Sequence, residues 1–476
     1  MTGVLQRAWP RIPAALVALL LPALLLSSER PNIVFLYADD LAAWAIGGLG
    51  LAEARTPHID RLYAEGVGLR NAFTTTPVCS PSRAGLLASR YGTEIGITDY
   101  LSESSEPDKG LDPELPTWPK RLQEAGYATC FVGKWHVGGL DRHLPTNHGY
   151  DEFYGFRHGA GISKDPEVES GGRHRVVPGY TPDILTDEAI RFLSDKAGRE
   201  PFLVSLHFWA PHANTANRTP DGDRTWLPLS ESDWEPFKAL DVSLPDPGYP
   251  GLDAPRARRM LAEYLGSVAS VDRNVGRLLD ALDAAGIADD TVVIFTSDHG
   301  FNMGHNGIWH KGNGRWLLKD NRGYRSNMYD HSIRVPAVVR WPARLSPGIW
   351  VDQVVLNLDW FPTILAMAGV EGPRQAVIRG RDFLPLLEER EIPWRTSFYG
   401  EYAQLHQEQV DQRMWRTPRW KLVRDSRPGK DELYDLADDP EEHRNLIGDR
   451  SPRTRDALAE LDAALREWMR KIASRH

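Results

Sequence analysis

Five short runs are apolar almost throughout: Asn32 to Ala38, Ala128 to Val132, Phe202 to Phe208, Thr291 to Ser297 and Val335 to Trp341. Runs of this length without alternation read as strands covered on both faces. Between them, apolar residues recur at helical spacing over Pro57 to Gly66, Thr117 to Gly126, Thr181 to Ala197 and Arg256 to Ala285. Strands alternating with helices predict an α/β fold: a large, mostly parallel sheet sandwiched by helices. Ligands in such folds bind beyond the carboxyl ends of the strands, so the residues that follow each run matter most.

After about residue 390 the texture changes. Ser397 to Tyr402, Gln412 to Arg416, Trp420 to Arg424 and Glu432 to Leu436 are short, aromatic-rich strand candidates, and Pro452 to Ile472 is amphipathic at helical spacing. They predict a small C-terminal antiparallel sheet plus helix, dividing the chain into residues 29–390 and 391–476. Phe301 to Tyr329 has no clear period and is dense in Gly, Asn, His, Trp, Lys and Arg. An irregular stretch of this length inside a compact domain is expected to be a functional loop. The polar, proline-rich stretch from Asn214 to Tyr249 carries little signal, and its Asn217-Arg218-Thr219 sequon is weakened by Pro220.

At the N-terminus, Arg7 and Arg11 precede an uncharged apolar stretch from Ile12 to Leu26 and then Ser27-Ser28-Glu29. This is the anatomy of a secretory signal over residues 1–28, too short to span a bilayer comfortably. Export, to a periplasm or the medium, follows, with no stable membrane partner. The 476 residues carry a formal net charge of −9, which argues against a general nucleic-acid binder. With only two cysteines, an exported chain has no disulfide framework. Cys130 lies inside an apolar run and reads as a buried, inert thiol.

The chemistry gathers at run ends. Thr76-Pro-Val-Cys-Ser-Pro-Ser-Arg83 leads into a helical pattern, with Pro81 suited to a first helical turn, so Cys79 stands at the positive end of a helix. A thiol there is acidic and nucleophilic, and a tetrahedral oxyanion fits the same spot. Asp39-Asp40 follows the first run and Asp298-His299 follows the fourth. Adjacent buried carboxylates repel, and two acidic corners at strand ends suit a hard divalent cation. Gly133-Lys134-Trp135-His136 and Trp209-Ala210-Pro211-His212 follow two further runs, and Trp309-His310-Lys311-Gly312 lies in the long irregular stretch.

Taken together these motifs resemble the type I, formylglycine-dependent sulfatases of the alkaline phosphatase-like superfamily, and Glu432 to Asn445 resembles the usual ending of their C-terminal subdomain. The resemblance implies that a maturase oxidises Cys79 to formylglycine and that one Ca²⁺ is held by Asp39, Asp40, residue 79, Asp298 and His299. The last position is Asn in many members, and an imidazole there widens the choice of divalent ion. It further implies that Arg83, Lys134 and Lys311 bind the sulfate, that His136 acts as the base that frees the product, and that His212 is the acid for the leaving alcohol. The residue before the second lysine is often Gly in the family and is His310 here.

Sixteen tryptophans are present. Most are expected to pack the core, and Trp309 and Trp316, with His305, His310 and Arg315, are the candidates for overhanging a substrate. The expected activity is hydrolysis of sulfate esters, on a sulfated carbohydrate. A phosphonate or phosphate ester hydrolase of the same superfamily is the enzymatic alternative, and a non-catalytic protein that binds sulfated glycans is the alternative of another class. The sequence leaves the natural substrate and the oligomeric state open.

Overall fold

The computed structural model describes residues 30–159 and 161–473, so the expected signal segment, 1–28, lies outside the described residues. Its centre is a ten-stranded sheet in the order Ile349–Leu356, Val67–Phe73, Ala337–Arg340, Thr291–Ser297, Asn32–Ala38, Phe202–His207, Ala128–Lys134, Glu152–Phe156, Glu167–Ser170, Arg173–Val176. The five strands from Thr291–Ser297 to Glu152–Phe156 run parallel. Antiparallel pairs flank them on both sides. The sheet is therefore parallel at its heart and mixed at its margins. The run expected at Val335 to Trp341 is a strand, but it returns against Thr291–Ser297 in the reverse direction, which needs no crossover helix.

Alternate residues of the strand Asn32–Ala38 feed opposite layers, as a two-residue period requires. Val34, Leu36 and Ala38 pack with Ile59 and Leu62 of Pro57–Glu65, with Leu185 and Phe192 of Thr181–Lys196, and with the long helix Ala254–Ala284. Ile33, Phe35 and Tyr37 face Leu86 of Cys79–Ala88, Trp118 and Leu122 of Trp118–Glu124, and Ile364 of Trp360–Met367. Each fully buried side chain of this size contributes roughly 1.5–3 kcal/mol. Two covered faces hold the strand ends rigid, and the site is built on those ends.

The C-terminal sheet is an antiparallel meander of Phe398–Gln404, Val410–Arg416, Trp420–Asp425 and Glu432–Asp435. The helix Pro452–Ala473 seats Leu461, Leu465 and Ile472 against Leu422, Leu433 and Tyr399, and against Tyr91 and Leu358 of the main body. The stretch expected as an irregular loop, 301–329, instead forms a small antiparallel sheet of Asn302–Met303, Ile308–His310, Asn313–Trp316 and Tyr324–Ser326. Strands of two to four residues are too short for alternation to stand out in the sequence. Among the described residues no helix is long and apolar enough to cross a membrane.

Candidate active site

The register Ala38 to Ser297 makes Asp39 and Asp298 leave the sheet side by side. Asp40 N donates to Asp298 Oδ1 at 3.1 Å, and Leu41 N donates to Ser297 Oγ at 3.1 Å, which braces the corner. Asp40 adopts a left-handed φ of 67°, as do His136 at 58° and His310 at 81°. Backbone strain at non-glycine residues persists where surrounding structure enforces it, and these three strained residues lie at or beside the site. Asp39, Asp40, Asp298 and His299 are all buried.

Cys79 opens the helix Cys79–Ala88 after the extended Val78, and its side chain is 2% exposed. Its Sγ lies 3.7 Å from Asp39 Oδ1, 3.8 Å from Lys134 Nζ and 2.9 Å from Lys311 Nζ. Burial pushes the thiol up, but Lys134 and Lys311 outweigh it and hold it well below its usual range. Lys134 also pairs with Asp39, and Lys311 Nζ is 2.6 Å from Asp40 Oδ1. Lys134 can come this close because Gly133, at φ 109°, lets its strand approach the neighbouring one. A Cβ there would lie 1.9 Å from the His207 carbonyl oxygen.

The two histidines expected to move protons sit on the same cavity. His136 Nε2 is 3.1 Å from the Leu101 carbonyl, its Nδ1 has no partner, and burial lowers its pKa. His212 Nδ1 faces the Ala213 carbonyl at 2.8 Å and its Nε2 lies 3.9 Å from Asp40 Oδ2. Burial brings His212 down to about 4. His207, a histidine of the strand Phe202–His207, is buried as expected, and its Nδ1 also touches Arg83 Nη1 at 3.3 Å.

Arg83 is placed differently from expectation. It faces away from the cavity: Nε and Nη2 lie 3.1 and 3.0 Å from Asp298 Oδ2, and Nη1 donates to the Lys134 carbonyl at 2.8 Å. On the second turn of the helix, its side chain lies beside Asp298 and is not among the residues that line the cavity beside Cys79.

Asp39, Asp40, Cys79 and His299 each bring one donor atom within 4.8 Å of the others. Asp40 Oδ2 and His299 Nε2 are buried without a hydrogen-bond partner. Burial and the charge of Asp39 push the Asp298 carboxyl up to about 7, a sign of crowded negative charge. Buried carboxylates with the orphaned Asp40 oxygen and His299 nitrogen fit a divalent cation, and the nitrogen and sulfur donors leave the choice of ion wider than an all-oxygen set would.

Cys79, Lys134, Lys311, His136 and His212 line a cavity of about 530 Å³, whose lining also includes Tyr100, Trp309, His310, Asn313, Arg315, Tyr324, Gln407, Arg218 and Arg224. Trp309, His310 and Arg315 are on it as expected. Trp316 is not: in the small sheet Trp309 pairs with Arg315 and Ile308 with Trp316, so alternation turns Trp316 to the opposite face, where it packs with Ile308, Tyr434 and Leu436. His305 also lies off the cavity, against Trp44 and His331. Sequence reasoning missed Arg218 and Arg224, which come from the polar stretch judged uninformative. It missed Gln407 too, a residue of the C-terminal region. Arg218 and Arg224 flank Asp221 and Asp223, so the stretch is charge-balanced in sequence and carries no cationic signal. Cys130 is buried in the strand Ala128–Lys134, and burial raises its thiol well above the usual range.

The Sulfatase family profile matches residues 31–370, and the profile for the C-terminal part of N-sulphoglucosamine sulphohydrolase matches 316–471. An N-acetylglucosamine-6-O-sulfatase of Bacteroides thetaiotaomicron is 29% identical over 88% of this chain and 83% of its own length. A steryl-sulfatase of Mus musculus is 30% identical over 92% of this chain and 81% of its own. A solved structure of a protein in complex with its substrate D-glucosamine-2-N,6-O-disulfate aligns with a TM-score of 0.79 at 25% identity, covering 94% of this chain and 99% of that one. With the acidic corner, the helix-mouth cysteine and the two lysines gathered in one cavity, this chain belongs to the formylglycine-dependent sulfatase family and is an enzyme that hydrolyses sulfate esters.

Proposed function

We propose that the protein is an exported, calcium-dependent sulfatase that removes sulfate from a carbohydrate, with residue 79 matured to formylglycine. The observation that carries this reading is the convergence of Lys134, Lys311, His136 and His212 on Cys79 beside a buried carboxylate cluster. Export is supported by the Arg7, Arg11 and Ile12 to Leu26 pattern. A carbohydrate is favoured over a sterol because the outer cavity wall offers Arg224, Arg315, Asn313, Thr215, Ser102 and Gln407, hydrogen-bonding groups that a sterol skeleton cannot use.

Asp39, Asp40, Asp298 and His299 would hold a divalent cation, which would supply Lewis-acid charge, and formylglycine at position 79 would supply a hydrated aldehyde as nucleophile. Lys134 and Lys311 bind the sulfate oxygens and neutralise the charge that develops on the transferring group. Arg83 holds Asp298 and Asp39 in place from behind. His212 gives its proton to the leaving alcohol oxygen. Burial, aided by Lys134 and Lys311, lowers its pKa in the free site, and the negative charge of a bound sulfate ester raises it so that the ring carries the proton it gives up. His136, which lines the cavity with residue 79 and whose Nδ1 no protein group occupies, is placed to accept a proton from the side chain of residue 79.

The test is release of sulfate from 4-nitrophenyl sulfate and from defined sulfated saccharides by protein co-expressed with a maturase. Much faster turnover of a 4-nitrophenyl phosphonate ester overturns the assignment in favour of the phosphonate hydrolases.

A further inference from the structure

The carboxylates of the outer cavity are already engaged. Asp223 receives Arg256 at 2.8 Å and Arg259 at 3.4 Å, and Glu103 pairs with His158 at 2.9 Å. Arg224 has no such partner: among the described residues its guanidinium makes no hydrogen bond or ion pair, and its Nη1 is buried with no acceptor. The two arginines nearest it in charge are also without an acid. Arg218 donates only to the backbone carbonyls of Thr215 and Asn217, and Arg315 lies over the Tyr324 ring at 4.4 Å and donates to its hydroxyl.

A half-buried cation without a partner is unfavourable, and the exposed Arg218 and Arg315 on the same wall repel it further. The strain is visible in Arg224, which burial, Arg218 and Arg315 bring down to about 10, far below an ordinary guanidinium. Sequence neighbours do not force this arrangement. Arg218 and Arg224 meet through a backbone bridge in one loop, and Arg315 arrives from the small sheet. The sulfate that is removed is already served by Lys134 and Lys311 on the floor beside Cys79, so the wall is left for something else. A second anion would supply the missing acceptor, and a guanidinium fork matches the oxygens of either a sulfate or a carboxylate.

We propose that Arg224, flanked by Arg218 and Arg315, forms a second anion subsite, so that the natural substrate carries a sulfate or carboxylate in addition to the sulfate that is hydrolysed. This rests on the sulfatase reading of the same cavity. The substrate class is thereby narrowed to polyanionic saccharides, either doubly sulfated or containing a uronic acid.

Calorimetry on the full-length Cys79→Ala protein, which cannot turn substrate over, tests the subsite directly. The probes are N-acetylglucosamine 6-O-sulfate, glucosamine 2-N,6-O-disulfate and a 6-O-sulfated disaccharide bearing a glucuronate. One of the two-anion probes is expected to bind about 10- to 100-fold more tightly than the one-anion probe, and which one does so distinguishes sulfate from carboxylate. Adding Arg224→Gln should reduce that advantage to about twofold or less, while Arg224→Lys, folded by the same thermal midpoint, should retain part of it. Equal binding of all three probes, no binding of either two-anion probe, or an advantage that survives Arg224→Gln overturns the proposal. Sulfate release from 4-nitrophenyl sulfate by the matured wild type is measured separately. Its failure would strike the sulfatase reading while the calorimetric comparison still decides the subsite.

Discussion

Lys311 Nζ lies 2.9 Å from Cys79 Sγ, although 232 residues of chain separate the two. The lysine comes from the turn between Ile308–His310 and Asn313–Trp316, and the cysteine from the mouth of a helix. The fold thus delivers a second ammonium to a site that already has Lys134, and negative charge on residue 79 or on a group attached to it is stabilised from two sides.

Replacing Lys311 by Met removes one of those charges at similar length. In unconverted protein the alkylation rate of Cys79 should then reach its midpoint at higher pH than in wild type. In matured protein kcat/KM for a sulfate ester should fall by about 100-fold or more. An unchanged alkylation profile would show that the close contact is electrostatically idle.

Cys79→Ala is expected to abolish sulfate release and leave the fold intact, because the side chain faces the cavity and packs little apolar surface. Thermal unfolding and sulfate assays on the same preparation check both halves, and a globally unfolded variant contradicts the second. Mass spectrometry of the wild-type peptide containing residue 79 should show loss of the thiol when a maturase is present.

Dialysis against a chelator should lower both activity and the thermal midpoint, and added Ca²⁺ should restore them. An ion at about 100 times its Kd stabilises the native state by about 2.7 kcal/mol. Asp298→Asn should erase most of the Ca²⁺-dependent shift in midpoint, a readout independent of turnover.

The C-terminal sheet is joined to the site-bearing body through Lys421, which is 0% exposed. Its Nζ lies 2.7 Å from Asp330 Oδ1 and 2.6 Å from Glu442 Oε1, and it donates to the Met328 carbonyl at 2.8 Å. Lys421→Met leaves the buried Glu442 without its cation, while Asp330 keeps Arg416, and should destabilise the protein by about 3–5 kcal/mol, seen as a lower denaturant midpoint.

His148 supplies a pH dependence away from the site. It is buried against Trp135, neither ring nitrogen has a partner, and burial, with His143 and Lys120 nearby and Asp112 opposing, lowers it to about 4. Its folded pKa is below the unfolded value near 6.5, so the unfolded chain binds the proton first as pH falls. Stability contributed by the neutral ring is therefore full above about pH 6.5 and declines toward pH 4, by about 3 kcal/mol. Denaturant midpoints for wild type and His148→Leu across pH 4–7 should show a shallower slope in the variant.

Local chemistry was legible in the sequence. Asp39-Asp40, Lys134, His212 and Asp298-His299 each sit just past an apolar run, and a parallel sheet brings such ends to one edge whatever the exact strand order. Cys79 at a helix mouth was legible for the same reason, since Pro81 and the helical pattern after it fix the start of the helix. The small sheet at 301–329 was not, because its strands are too brief for a period to appear.

What the sequence by itself determined was which residue types stand at strand ends and helix starts, because those depend on neighbours a few positions away. Tertiary structure alone decided that Arg83 turns behind the carboxylates, that Arg315 faces the cavity while Trp316 does not, and that Arg224 is left without an acid. Each of those outcomes depends on the register or packing of segments tens to hundreds of residues apart, and side-chain direction across such a distance is set by the assembled fold.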